Sequence, residues 1–280
     1  TSGALTLGSD LTTTNGAITV GGALTLSDPS DGASGIITLL SNNKTSNITI
    51  NSIVGASKNL ELISGAGVIS ITNNATGLNR LLLQEDATTT TGSVTFNGNL
   101  GSSTFETYAR TYDISLLGSS NTVTNQTTFL NKGNLALGNA TADTFTFTNG
   151  LNTVAASTDT NKKVQLFSTI NTTNTDLVTK DITLVGNTTI STNTGIGNID
   201  FQGLVDGAYT LSLTAGTGNI IFNDKVGETN RIATLTINSA NQVDFNNSVK
   251  VSTASLTGGI FNLNNTWNST TSTAFTNSGL

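Results

Sequence analysis

Apolar residues recur at every second position in short stretches along the chain, and the residue between them is usually small and polar. This alternation, with many β-branched residues, is typical of a strand with one buried face. No stretch shows the i, i+3, i+4, i+7 spacing of an amphipathic helix, so the pattern predicts an all-β protein. The triplets include Leu5–Leu7, Ile18–Val20, Leu24–Leu26, Ile37–Leu39, Ile48–Ile50, Leu60–Leu62, Ile69–Ile71, Val94–Phe96, Ile114–Leu116, Phe145–Phe147, Ile182–Leu184, Ile199–Phe201, Leu211–Leu213, Leu235–Ile237 and Val243–Phe245.

Some of these triplets belong to a longer phrase that is repeated. The phrase "GNIIFNDKV" at 218–226 is matched by "GNIDFQGLV" at 197–205, "NQVDFNNSV" at 241–249 and "GSVTFNGNL" at 92–100. Its apolar letters are kept while its polar letters change. Glycine, asparagine and other turn-forming residues lie between the triplets and favour sharp corners.

A repeat of about twenty residues favours a solenoid over a meander or a sandwich, which also contain regular short strands. In a solenoid each strand pairs with its equivalents one coil above and below, and inward side chains stack in ladders. We predict one continuous solenoid over 1–280, a segment of a longer protein, with about twenty residues per coil and about fourteen coils. The predicted core includes Ile199, Phe201, Ile220, Phe222, Leu235, Ile237, Val243 and Phe245.

One region departs from this rhythm. Residues 101–134 concentrate Tyr108, Arg110 and Tyr112, and we interpret them as irregular coils or a small extension over the side of the solenoid, with a ligand-contacting patch as the alternative. The single tryptophan, Trp267, is expected to cap or cover a solenoid end, where strand edges would otherwise be unpaired.

Composition narrows the class of protein further. Charged residues make up 10% of the chain, and 11 Lys and Arg against 17 Asp and Glu give a net charge of −6. Nucleic acid and anionic membranes are therefore poor partners. Cysteine and histidine are absent. The lack of cysteine excludes a disulfide scaffold and thiol chemistry, and it is consistent with a protein that functions outside the cell. No apolar run approaches the roughly 20 residues of a membrane span.

Polysaccharide lyases and hydrolases also occur among parallel β-helices, so an active site has to be sought. Because the chain has no histidine and no cysteine, carboxylates are the first candidates for acid–base catalysis. Asp200 and Asp244 occupy outward positions two rungs apart, and Glu61 sits in a similar outward position. Two rungs of about 4.8 Å each would place the aspartates near the upper limit of about 10 Å between paired glycosidase carboxylates. We interpret all three as isolated acids on a solvated polar wall and predict no catalytic residue.

Metal, cofactor and ice-binding sites are the other candidates. Asp28 and Asp31 in "SDPSDG" are the closest approach to a calcium loop, and we interpret them as part of a plain turn. Zinc has no ligand set, and no phosphate-binding loop is present. Threonine recurs at the middle of many triplets, but the second parallel row expected of an ice-binding face is mostly missing. We predict no metal and no cofactor.

Residues 197–259 carry a family resemblance, through "LSLTAGTGNIIF" and "LTINSA". This stretch resembles the degenerate repeats of large bacterial surface exoproteins of the filamentous haemagglutinin and autotransporter-passenger type. Weaker echoes, "ALTLGSDLTTTNGAITVGGALTL" and "DITLVGNTTISTNTGIGNIDF", extend the likeness over most of the chain. The resemblance implies a right-handed parallel β-helix that is secreted to the cell surface and serves as an adhesin or a stalk.

The expected function is therefore an extracellular structural or adhesive segment of a large bacterial surface protein, without catalysis. Its expected partners are glycans or proteins of host or neighbouring cells, or other copies of itself; nucleic acid binding and membrane insertion by this segment are not expected. One alternative is a self-assembling surface filament or surface-layer-like protein. A polysaccharide-degrading β-helix enzyme is the other.

Overall fold

The chain forms a parallel β-solenoid without helices in the residues that the structure, a computed structural model, describes: 1–28, 35–41, 45–84, 91–154 and 163–279. The described strands coil in about 11 turns of about 23 residues. Each strand pairs in parallel with strands one coil before and one coil after it, as Ile199 does with Leu177 and Ile220. The predicted all-β, parallel β-helix is confirmed.

The chain divides into two compact units. The first contains the described residues of Thr1–Ala136. Its strands are β1 (Leu5–Leu7), β2 (Leu11–Thr13), β3 (Ile18–Leu26), β4 (Ile36–Ser41), β5 (Ile48–Val54), β6 (Asn59–Ile63), β7 (Val68–Ile71), β8 (Ala75–Leu83), β9 (Ser93–Phe96), β10 (Leu100–Thr107), β11 (Asp113–Leu116), β12 (Ser120–Val123) and β13 (Thr127–Thr128). The boundary between the units falls within β14 (Leu135–Leu137).

The second unit contains Leu137–Val154 and Lys162–Leu280. Its strands are β15 (Thr144–Phe147), β16 (Leu151–Asn152), β17 (Val164–Leu166), β18 (Thr169–Asn171), β19 (Leu177–Thr179), β20 (Ile182–Leu184), β21 (Thr188–Ser191), β22 (Ile199–Phe201), β23 (Val205–Asp206), β24 (Thr210–Thr214), β25 (Asn219–Phe222), β26 (Ile232–Ser239), β27 (Gln242–Phe245), β28 (Val249–Gly258), β29 (Ile260–Leu263) and β30 (Trp267–Asn277).

The coils are longer and less regular than the repeated phrase predicts. Ile18 pairs with Ile48, which lies 48 − 18 = 30 residues later. Val164 pairs with Ile182 after 182 − 164 = 18 residues. Because the strands stay in register, the extra residues are accommodated in the segments between them. The predicted number of fourteen coils is therefore too high. It was based on the spacing of the repeated phrase, which occurs mainly in the shorter coils of the second unit.

Two faces of the second unit carry residues that the sequence analysis names as candidates for a functional site. The face made by β15, β18, β21, β24, β26 and β28 presents outward hydroxyls, and we call it the hydroxyl face. The face made by β16, β19, β22, β25, β27 and β29 carries Asp200 and Asp244, and we call it the acid face. In both, apart from β29, outward residues alternate with buried ones, as the pleat of a strand requires.

The core of the second unit consists of side-chain ladders, and the predicted core residues are all buried. Phe201, Phe222 and Phe245 occupy one ladder position on successive coils. Their ring centroids are 4.8 Å apart in both pairs, with interplanar angles of 17° and 7°. This spacing equals the distance of about 4.7–4.9 Å between neighbouring strands, so each ring stacks directly on the next.

The core of the first unit is an aliphatic ladder of the same kind. One register runs through β3, β5, β7, β9 and β11 and joins Ile18, Ile48, Ile69, Val94 and Ile114. The region 101–134 contains four strands, β10–β13, of which β10 pairs in parallel with β8, β12 and β13 and β11 with β9. These residues thus lie in the coils themselves rather than over them.

Trp267 lies at the start of β30, beside the end of the phenylalanine ladder. Its ring meets Phe245 edge-on at 5.2 Å and Phe275 at 5.6 Å, and its indole N–H donates to Thr273 Oγ1 at 2.9 Å. Much of β29 and β30 is nevertheless exposed, including Ile260 at 52% and Phe275 at 43%. Trp267 therefore covers one part of the last described coil and leaves other apolar side chains exposed.

Candidate functional site

Asp200 and Asp244, the candidate catalytic pair, lie on the acid face two strands apart. In the register between them stands Ile221, which pairs with Asp200 on one side and with Asp244 on the other. An aliphatic side chain therefore occupies the rung where a substrate atom would have to sit between two working carboxylates. The spacing predicted from sequence is correct, but the pair has no open space at its centre.

Both carboxylates are also bound by amide donors. Asp200 accepts hydrogen bonds from the amides of Asn223 (2.7 Å) and Gln202 (3.1 Å). Asp244 accepts two from the Gln242 amide (2.9 and 2.8 Å) and one from Asn262 (2.6 Å). Both carboxylates are therefore occupied by neighbouring amide side chains.

These contacts belong to ladders of polar side chains that climb from coil to coil. Beyond Asn223, the Asn246 amide donates to the Asn223 carbonyl at 3.2 Å, and the Asn264 amide donates to that of Asn246 at 2.9 Å. A second ladder runs from Asp176 through Asn198, Asn219 and Asn241. The asparagines of these ladders thus have a structural role, because they provide hydrogen-bond partners for one another on successive coils.

Glu61, the third candidate acid, lies in the first unit, and the prediction that it is solvated is wrong. Its side chain is 7% exposed, between Thr38 and Leu82 on the two neighbouring strands. Thr38 Oγ1 donates to Glu61 Oε2 at 3.1 Å. Leu82 occupies an outward position yet is 1% exposed, so this part of the wall is apolar rather than polar.

Of the two candidate calcium ligands, Asp28 forms an ion pair with Lys58. Asp31 lies outside the described residues. Within the described ranges, no cluster of three or more Asp, Glu, His or Cys residues has the geometry to hold a metal ion.

On the hydroxyl face, the second row is only partly threonine, as the sequence analysis expects. One outward row consists of Thr144, Thr169, Thr189, Ser212, Thr236 and Ser255. A second row on the same strands consists of Thr146, Asn171, Ser191 and Thr214. A register shift after Leu213 pairs Thr214 with Ser239 and leaves Asn238 between the rows, where its amide donates to Ser212 Oγ at 3.1 Å and Thr214 Oγ1 at 3.0 Å. The asparagines and the bulge make this array irregular.

A groove on the first unit is the candidate binding site, and it lies within the region 101–134 where the sequence analysis left a ligand-contacting patch as an alternative. It has a volume of about 270 Å³ and runs between the end of β10 and the segment around β13. Because Glu106 pairs with Thr128, outward side chains from two successive coils meet across it. Its lining residues are Thr104, Phe105, Glu106, Thr107, Tyr108, Gln126, Thr128 and Leu130. Of the three residues singled out in 101–134, Tyr108 alone lines this groove.

The charge in this groove is Glu106, and it is balanced by Arg80. The Arg80 guanidinium binds the carboxylate with both ends of its fork, and the Nε to Oε1 distance is 2.8 Å. Both side chains are about one third exposed, at 35% and 36%. A paired geometry of this kind fixes the orientation of both side chains. The groove therefore has a rigid carboxylate edge without a net charge.

Tyr112 supports the groove from inside the core. An inward row of side chains runs through β4, β6 and β8 and includes Leu83. On β10 the next residue of this row is Thr107, which is smaller than leucine. The buried Tyr112 hydroxyl accepts a hydrogen bond from the Tyr108 backbone N–H (3.1 Å) and donates one to the Leu83 carbonyl (3.2 Å). Burial raises the pKa of Tyr112 well above its usual value. Tyr112 therefore ties the backbone of a groove residue to the preceding coil.

We expect the substitution Tyr112→Phe to lower the free energy of unfolding by about 1–3 kcal/mol at neutral pH, because both partners lose their hydrogen bond. The difference should shrink as pH rises above about 10, since the unfolded wild-type chain then releases a proton that folded Tyr112 retains. Urea unfolding of both proteins from pH 7 to 11 measures this difference. A difference that stays constant over that range would contradict the buried, protonated assignment.

No helix in the described part of the chain is long and apolar enough to cross a membrane. Comparison of the chain with family models, curated proteins and solved structures gives no match.

Proposed function

We propose that this chain is an extracellular structural or adhesive segment of a large bacterial surface protein, and that it is not an enzyme. The observation that carries the proposal is the polar ladder system of the acid face. Asp200 and Asp244 are held by amide donors that continue from coil to coil, with Ile221 between them. A surface built so that polar side chains satisfy one another suits a durable, exposed scaffold more than an acid–base site.

The resemblance of 197–259 to haemagglutinin-like and autotransporter-passenger repeats supports the same proposal, as do the absence of cysteine and the low charge of the sequence. A solenoid of this kind is useful as a spacer or as a surface that makes many weak contacts with glycans or proteins.

Self-assembly is the second candidate, and a specific observation favours it. In β29 the apolar side chain of Ile260, which pairs with the outward Gln242, is 52% exposed. Exposed strands with apolar side chains are templates for pairing with another chain.

Three measurements test the proposal. Immuno-electron microscopy of intact cells should place the parent protein on the outer surface, and the purified segment should be single particles rather than fibres or sheets. Ordered fibres or sheets would favour self-assembly, and a cytoplasmic parent would defeat both candidates. Incubation with a broad panel of polysaccharides, with and without calcium, should give no cleavage. Reproducible cleavage that Asp200→Asn or Asp244→Asn abolishes would overturn the non-catalytic assignment.

A further inference from the structure

We infer that the groove between β10 and β13 binds an uncharged sugar ring, such as the terminal residue of a glycan. The inference rests on the proposed adhesive function and assigns that function to this groove. It is carried by three properties of the groove: its neutral but polar edge, its apolar floor and an amide side chain that is available for a ligand.

The electrostatics of the groove favour an uncharged ligand. Glu106 is the charged residue among those that line it, and the Arg80 fork neutralises its carboxylate. A cationic ligand would have to compete with Arg80, and an anionic ligand would meet the carboxylate oxygens. A ligand hydroxyl faces neither cost, because it can donate to a carboxylate oxygen that stays paired with arginine.

The rest of the lining alternates between apolar and polar groups. Tyr108 and Leu130 are half-buried and offer apolar surface, while Thr104 and Thr128 offer hydroxyls along the same two strands. A pyranose ring has the matching character, with C–H groups on its faces and hydroxyls around its rim. A volume of about 270 Å³ lies just below the usual range of small-molecule pockets, which suits one ring better than an extended ligand.

Gln126 is the side chain best placed to contribute to recognition. It is exposed and makes no hydrogen bond to the other described residues, whereas glutamines of the acid face such as Gln202 donate to a neighbouring aspartate. Its amide both donates and accepts, so it suits a pair of adjacent sugar hydroxyls. Thr104 Oγ1 already accepts from the Asn125 amide at 2.8 Å, which leaves its own proton for a ligand oxygen.

The test is saturation-transfer NMR with the purified chain and a set of simple sugars. Glucose, galactose, mannose and N-acetylglucosamine are the uncharged probes; glucosamine and N-acetylneuraminic acid are the charged ones. At least one uncharged sugar should bind, and its affinity should fall about three- to tenfold in Gln126→Ala, which loses one or two hydrogen bonds. Tyr108→Ala should weaken the same sugar at least as much because the apolar surface is lost. The matched control is Gln202→Ala, an exposed glutamine that does not line the groove, and it should bind like wild type.

Several outcomes would overturn the inference: no uncharged sugar binding at millimolar concentration, a preference for either charged sugar, or equal binding by Gln126→Ala and wild type. Thermal melts of each variant keep the comparison sound: Gln126 is exposed, so Gln126→Ala should leave Tm unchanged, and a fall in the Tm of the half-buried Tyr108→Ala would be weighed against its loss of affinity. If the chain adheres to cells or glycan surfaces and Gln126→Ala adheres equally well, the groove assignment fails while the proposed adhesive function stands. If the parent protein is not on the cell surface, the proposed function fails whatever the sugars do.

Discussion

Replacing Phe222 with aspartate should unfold the coils around it. Phe222 is 1% exposed, with Phe201 and Phe245 stacked on its two faces at 4.8 Å. Loss of a buried ring costs about 3–5 kcal/mol, and the new carboxylate would be buried without a partner. Hydrogen exchange should show lost protection first in β22, β25 and β27, because each strand draws its backbone partners from its neighbours.

The comparison variants separate the charge from the lost ring. Phe222→Leu keeps an apolar side chain and should cost about 1–2 kcal/mol through the smaller volume and the lost stacking. Thr236→Ser changes an outward, half-buried residue of the hydroxyl face and should melt within a degree or two of wild type. If Phe222→Asp melts at the wild-type temperature, the assignment of inward and outward positions is wrong.

The second large effect is expected at Gly218, the first residue of the repeated phrase. A Cβ built on Gly218 would collide with the Gly197 carbonyl oxygen and lie 2.7 Å from its carbonyl carbon. Gly197 begins the same phrase one coil earlier, so two backbones meet where the coils turn into the acid face. Because neither backbone can move without shifting a strand, Gly218→Ala should lower the free energy of unfolding by about 1–3 kcal/mol.

Gly16 provides the matched control for this substitution. Among the described residues, apart from its two chain neighbours, no atom lies within 4 Å of a Cβ built there. Gly16→Ala should be neutral or stabilising by up to about 1 kcal/mol, because it reduces the freedom of the unfolded chain. Chemical unfolding of the two alanine variants measures the difference. Equal stabilities for the two would mean that the repeated glycine is not kept for close packing between coils.

The fold was predictable because its two determinants are local in the sequence. Alternation identifies the strands, and recurrence of a phrase such as that at Gly218 identifies the stacking. Ile199, Phe201, Ile220 and Phe222 could therefore be assigned to the core before any register was known. The number of coils was overestimated, because loop residues add to coil length without leaving an apolar signal.

The candidate site was much less predictable, because it depends on register between distant residues. Nothing in the sequence states that Glu106 lies beside Thr128 or that Arg80 reaches Glu106. The sequence groups Tyr112 with Tyr108 and Arg110 in one irregular region, yet its position below a small inward threonine makes Tyr112 part of the core. The asparagine ladders could have been predicted from the sequence, because Asn198, Asn219 and Asn241 recur at the spacing of one coil.

The stacked contacts of the second unit also have an evolutionary consequence. Gly197 and Gly218, like Phe201 and Phe222, stand 21 residues apart and contact each other (218 − 197 = 21; 222 − 201 = 21). An in-frame duplication of that stretch of gene would place a new glycine and a new phenylalanine in contacts of the kind already present. Each added coil would bury its own apolar side and extend the polar ladder by one member. Selection can thus lengthen or shorten such a protein by whole coils, without having to invent a new packing arrangement each time.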